Sequence, residues 1–162
     1  MHEKLNWKPH IDRMANKASR TLGFIRRNLG NRCPTDTKKL AYTTLVRSQL
    51  EYASTVWDPH KQNQIDQLEM IQRRAVRFIS GNYQREASVT EMRERLNLPT
   101  LEERRKQARL TMFYKANSNQ MAVHLPEYIK PRERITRRSS QRHIRVATNV
   151  DAYKYSFFPT NN

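Results

Sequence analysis

The 162-residue chain suits one domain, or one domain with a tail, since domains typically hold about 100–200 residues. It carries 31 Lys and Arg against 15 Asp and Glu, a net charge of +16, with 36% hydrophobic residues and three glycines; this balance lies between globular and disordered compositions and excludes a large, neutral, fully folded enzyme. No apolar run approaches the roughly 18 residues of a membrane span and no secretory-type start is present, so the chain is expected to be intracellular, nuclear or cytoplasmic, while the lone Cys33 excludes an intrachain disulfide and a cysteine-based zinc site.

From Pro9 to Leu29, Ile11, Met14, Ala15, Ala18, Leu22, Ile25 and Leu29 recur at steps of three and four, the spacing of one helical face. Pro9 suits the first turn of that helix and Gly30 the position just past its end. On the opposite face Arg13, Lys17, Arg20 and Arg27 fall in line with Phe24 among them, a basic stripe with one aromatic and no acid.

A second helix is predicted to open near Thr35 or Asp36 and to run through Leu40, Tyr42, Leu45, Val46, Leu50, Ala53 and Val56 until Pro59 forbids continuation. Tyr52 and Trp57, at its end, are expected to close the core. A third helix carries Ile65, Leu68, Ile71, Ala75, Phe78 and Ile79 inward and stops at Gly81, with Arg73, Arg74 and Arg77 pointing mostly away.

Ser88 with Glu91, and Thr100 with Glu103, are capping boxes that open a short fourth helix and a fifth running to about Ala116. The fourth turns Val89, Met92 and Leu96 inward; the fifth sets Leu101, Ala108 and Met112 along one side. No strand is expected before residue 120. Fold class is therefore all-α: a bundle of about five helices over residues 1–117, followed by a basic, largely irregular or disordered tail over residues 118–162. The block KPRERITRRSSQRHIR in that tail, which contains Arg137 and Arg138, has no core-forming period. A net charge of +5 falls on residues 118–162 and +11 on residues 1–117, so the helical part is basic in its own right.

Positive charge held against a polyanion displaces condensed counterions and gives salt-sensitive, sequence-independent binding, which makes nucleic acid the leading partner. A merely solvated basic surface is the alternative, but ordinary solvated faces mix signs and the Arg13–Arg27 stripe does not. The histidines are scattered without the spacing of a helical metal site, Ser139 and Ser140 have no neighbouring base, and Cys33 precedes Pro34 in a helix connection, so none of them marks catalytic chemistry. Phe24 serves equally well as a stacking ring or as a second packing surface.

Six segments in order resemble the C-terminal part of the reverse transcriptases of non-LTR (LINE-type) retrotransposons, in particular the jockey-like and chicken-repeat-like groups: LNWKPHID (5–12), KASRTLGFIRRNL (17–29), LVRSQLEYASTVWDP (45–59), LEMIQRRAVRFI (68–79), PTLEERRKQARLTMFYK (99–115) and DAYKYSFFP (151–159). The resemblance implies the thumb and post-thumb region of an RNA-directed DNA polymerase, which grips template and primer while a separate palm performs the chemistry. That chemistry uses an adjacent pair of aspartates plus a third to hold two divalent metal ions, magnesium being the expected one. Here Asp12, Asp36, Asp58, Asp66 and Asp151 are each isolated, so the chain alone is expected to have no catalytic residues, no cofactor and no polymerase activity. Relatives continue beyond the FFP motif, which points to a truncated or decayed element copy.

The expected nucleic-acid-binding residues are Arg13, Lys17, Arg20, Phe24, Arg27, Arg73, Arg74, Arg77, Arg137 and Arg138. Expected partners are RNA or DNA without sequence preference and a reverse transcriptase palm supplied elsewhere, with no membrane. A transposon remnant without activity and a helical protein-interaction module are the competing readings.

Overall fold

The computed structural model describes residues 7–30, 32–118 and 120, and among these every regular element is helical. In chain order they are α1 (Lys8–Leu29), α2 (Thr35–Ala41), a π-helical stretch (Tyr42–Arg47), α3 (Ser48–Glu51), α4 (Ser54–Trp57), α5 (Gln62–Ser80), α6 (Val89–Arg95) and α7 (Leu101–Asn117). Trp7–Arg105 form one compact unit, and the described residues from Lys106 onward, including the rest of α7, belong to a second. The tail expected over 118–162 lies outside the described residues except for Ser118 and Gln120.

The two long helices hold the core of the first unit because their apolar positions repeat with the helical period. α1 buries Ile11, Ala15, Ala18, Leu22 and Ile25, and α5 buries Ile65, Leu68, Ile71, Ala75, Val76, Phe78 and Ile79. Each helix packs on the other and on the segment between them. Burying a Leu, Ile or Phe side chain contributes roughly 1.5–3 kcal/mol, so this pair dominates the unit's stability. Pro9 occupies the first turn of α1, Gly30 follows its end at φ 60° and ψ −170°, and Gly81 ends α5 at φ 65°. Both glycines adopt positive φ, which a Cβ would penalise.

The single helix expected over residues 35–56 is instead a chain of short pieces. Tyr42, Val46 and Leu50 do point inward, but Leu40, Leu45 and Val56 are exposed. For Leu45 and Val56 the cause is geometric. Through Tyr42–Arg47 the turn is wider than in an α-helix, so a three-residue step no longer returns close to the inward line and Leu45 swings outward. The phase is then reset at Tyr52 (φ −57°, ψ 122°) and Ala53 (φ 50°, ψ 28°), a type II-like turn without the usual glycine. Trp57 is buried as expected and its indole N–H donates to the Tyr52 carbonyl at 2.7 Å, but the Tyr52 ring itself is 74% exposed and closes no core.

The capping box at Thr100 forms in full and the one at Ser88 in half. The Glu91 N–H donates to Ser88 Oγ at 3.4 Å, while at Thr100 both halves are made, Glu103 N–H to Thr100 Oγ1 at 3.0 Å and Thr100 N–H to Glu103 Oε2 at 2.9 Å. α6 stops at Asn97 (φ 50°) with Leu98 N–H on the Arg93 carbonyl and Asn97 N–H on the Glu94 carbonyl, a Schellman end. A buried amide then links three segments: Tyr42 Oη donates to Gln72 Oε1 at 3.0 Å and Gln72 Nε2 donates to the Pro99 carbonyl at 2.8 Å.

Charged residues also enter this unit. Arg105, 1% exposed, donates through Nε to Asp58 Oδ1 at 2.8 Å, and its two terminal nitrogens are buried without an acceptor. Glu51 takes Arg104 through two hydrogen bonds and stands 3.7 Å from Arg47.

Candidate nucleic-acid interface

The apolar face of α1 fixes where its cations go. With Ile11, Ala15, Ala18, Leu22 and Ile25 buried, the positions about half a turn away are driven to solvent, and Arg13, Lys17, Arg20, Phe24 and Arg27 are all exposed. Among the described residues none of these four cations pairs with a carboxylate. The acid nearest in sequence, Asp12, is taken by Lys8 Nζ at 2.9 Å and by Gln67 Nε2 at 3.1 Å, and those two hydrogen bonds hold its carboxyl below the usual carboxylate range. Glu51 is occupied by arginines in the same way. These two carboxylates are thus engaged with other cations and not with the stripe.

Arg13, Lys17 and Arg20 line, with Asn16 and Thr21, a shallow hollow of about 550 Å³. Gln49 Nε2 donates to Thr21 Oγ1 at 3.2 Å, which ties the rim of this hollow to α3. Phe24 is 57% exposed between Arg20 and Arg27 on the same face, open both to a stacking base and to packing against a separate palm. Arg27 continues the stripe into a second hollow at the end of the helix, with Gly23, Arg26, Phe78 and Tyr83.

The α5 arginines do not extend the stripe as one uniform patch. Arg73 stands in a cleft of about 350 Å³ that also holds Asp66, Glu69, Glu102 and Arg93, so its surroundings are of mixed sign. Arg74 lies against Met70 Sδ at 3.4 Å, and Arg77 donates to the Gln84 carbonyl at 2.8 Å. Arg137 and Arg138 lie outside the described residues. Sequence reasoning passes over Arg26 and Tyr83, because Arg26 sits more than a third of a turn from the middle of the stripe and Tyr83 reaches it only through the fold. Among the described residues no group of three or more His, Cys, Asp or Glu could hold a metal ion, and no helix is long and apolar enough to cross a membrane.

In comparisons with known proteins, no family model, no curated protein and no solved structure matches the chain.

Proposed function

We propose that this chain is a helical module that grips the phosphate backbone of RNA or DNA without reading sequence, in the manner of the reverse transcriptase thumb and post-thumb region that its sequence resembles. Polymerase chemistry in this reading belongs to a separate palm. The observation that carries it is the outward face of α1, where Arg13, Lys17, Arg20 and Arg27 are exposed with no carboxylate partner among the described residues. Such a row contacts phosphates, which fixes position on a strand but conveys no base identity.

The test is a fluorescence-anisotropy titration of labelled duplexes of two unrelated sequences between 50 and 200 mM salt. On a duplex each phosphate neutralised steepens the dependence of log K on log salt by about 0.9, so the four α1 cations alone supply a slope of roughly −3 to −4. The two sequences bind equally, and a Lys17→Ala/Arg20→Ala chain loses about two units of slope. Affinity that stays flat with salt refutes the proposal.

A second reading, a module that docks on another protein, draws on the exposed Leu40, Leu45, Tyr52 and Val56 between α2 and α4. In the thumb-like reading that partner is the palm.

A further inference from the structure

The hollow at the C-terminal end of α1 differs in kind from the rest of the stripe because it has an aromatic wall. Its lining is Gly23, Arg26, Arg27, Phe78 and Tyr83, and its volume is about 330 Å³, within the range of small-ligand pockets of roughly 300–1,000 Å³. No carboxylate lines it. The Arg26 guanidinium lies 5.7 Å from the Tyr83 ring centroid, a cation–ring pair at the site, while the buried Lys38 Nζ lies 5.3 Å from the Phe78 ring centroid. Tyr83 is nonetheless 52% exposed.

The ring is held in place rather than left on a free loop. Gly81 turns the chain out of α5 with φ 65°, the Gln84 N–H donates to Asn82 Oδ1 at 3.0 Å, and Arg77 donates to the Gln84 carbonyl at 2.8 Å. Gln84 is therefore tied to α5 through Arg77 and to Asn82 through the local turn. Gly23 lines the hollow without a side chain: a Cβ there would stand in ordinary contact, 3.5 Å from an Arg27 terminal nitrogen, so it takes a longer side chain to occupy the space.

We infer that this hollow receives one unpaired nucleotide of a single strand, its base stacked on the Tyr83 ring and its phosphate held by Arg27. The inference rests on the phosphate-gripping reading of α1, to which the hollow is joined through Arg27. It adds a preference that the cations alone do not create. A duplex has its bases stacked internally and offers the hollow nothing planar, whereas every unpaired base has a face for an aromatic ring.

The experiment uses the full chain and a labelled single strand alongside the duplex of the same sequence, titrated by anisotropy at fixed salt. Tyr83→Ala is expected to weaken single-strand binding by about 5- to 160-fold, the range for losing one base–aromatic stack, and to leave duplex binding unchanged. Tyr83→Phe retains the affinity because it retains the ring. Gly23→Leu fills the hollow without removing charge and reproduces the alanine effect; thermal melts check that each variant folds. The inference is overturned if Tyr83→Ala leaves single-strand affinity intact, if it weakens both forms equally, or if the wild-type chain binds neither. Salt-independent duplex binding combined with Tyr83-dependent single-strand binding defeats the phosphate-gripping reading alone and leaves the hollow's occupant standing.

Discussion

Replacing Asp58 with alanine removes the one hydrogen-bonded carboxylate beside the Arg105 Nε, which lies 2.8 Å from Asp58 Oδ1. Arg105 is 1% exposed and its terminal nitrogens already have no acceptor, so the variant would bury a guanidinium with no counter-charge at that position. Breaking a buried pair from one side costs about 3–5 kcal/mol, a large part of the 5–15 kcal/mol that stabilises a typical domain. In a unit of about 100 residues, with roughly 4–8 °C per kcal/mol, Tm falls by ~12–40 °C. Arg105→Met is expected to cost far less, about 1 kcal/mol, because it removes the buried charge and leaves Asp58, whose side chain is 14% exposed, within reach of water. The double variant should therefore resemble Arg105→Met, with a coupling of about 3–5 kcal/mol between the sites. Urea unfolding followed by circular dichroism on the four chains of the cycle measures it. An Asp58→Ala cost under 1 kcal/mol, or an Arg105→Met cost equal to that of Asp58→Ala, refutes the assignment of Arg105 as a buried cation dependent on Asp58.

Ala53 has φ 50°, so Ala53→Gly should raise stability by about 0.5–1 kcal/mol and Ala53→Val should lower it, both read as shifts in the urea midpoint; a loss on Ala53→Gly contradicts the turn geometry. Thr100→Ala should cost about 1 kcal/mol in the same assay and more than Ser88→Ala, since the box at Thr100 has both hydrogen bonds and the Ser88 contact is long at 3.4 Å. Acid should weaken the fold through Asp12, held low by its hydrogen bonds with Lys8 and Gln67, and through Glu103, held low by those with Thr100. With folded values below the unfolded ones near 4, their stabilisation is complete above the unfolded values and is lost as pH falls through the folded ones. Asp12→Asn with Glu103→Gln should flatten the acid limb of a stability–pH curve, and an unchanged limb argues against both pairings.

The long amphipathic helices were legible in the sequence because a stripe repeated over five or more turns leaves one way to bury it, which is why Ile11 through Ile25 and Ile65 through Ile79 face inward as expected. Thr100 and Glu103 were legible for a local reason: both partners of the capping box lie within one turn. The segment from Leu40 to Val56 was not, because periodicity assumes a constant turn and neither the wider coil over Tyr42–Arg47 nor the left-handed Ala53 carries a glycine or proline to announce it. Arg105 was missed because a charged side chain is ordinarily placed outside, and only the fold brings Asp58 to it. For the candidate interface, the exposure of Arg13, Lys17, Arg20 and Arg27 follows from the helical period alone. The encounter of Arg26 with Tyr83 depends on packing between segments 57 residues apart and leaves no local trace.

The Gln72 bridge responds to acid and base in its own way. Burial drives the Tyr42 phenol well above its ordinary range, so it remains a neutral donor throughout the conditions in which the chain stays folded. Its acceptor is an amide with no proton to gain or lose. The surface carboxylates let go of their partners as the medium turns acidic, but this inner rivet does not register the change. In mild acid the molecule should loosen from its perimeter first, while the π-helical stretch, α5 and the Pro99 strand of chain remain clasped.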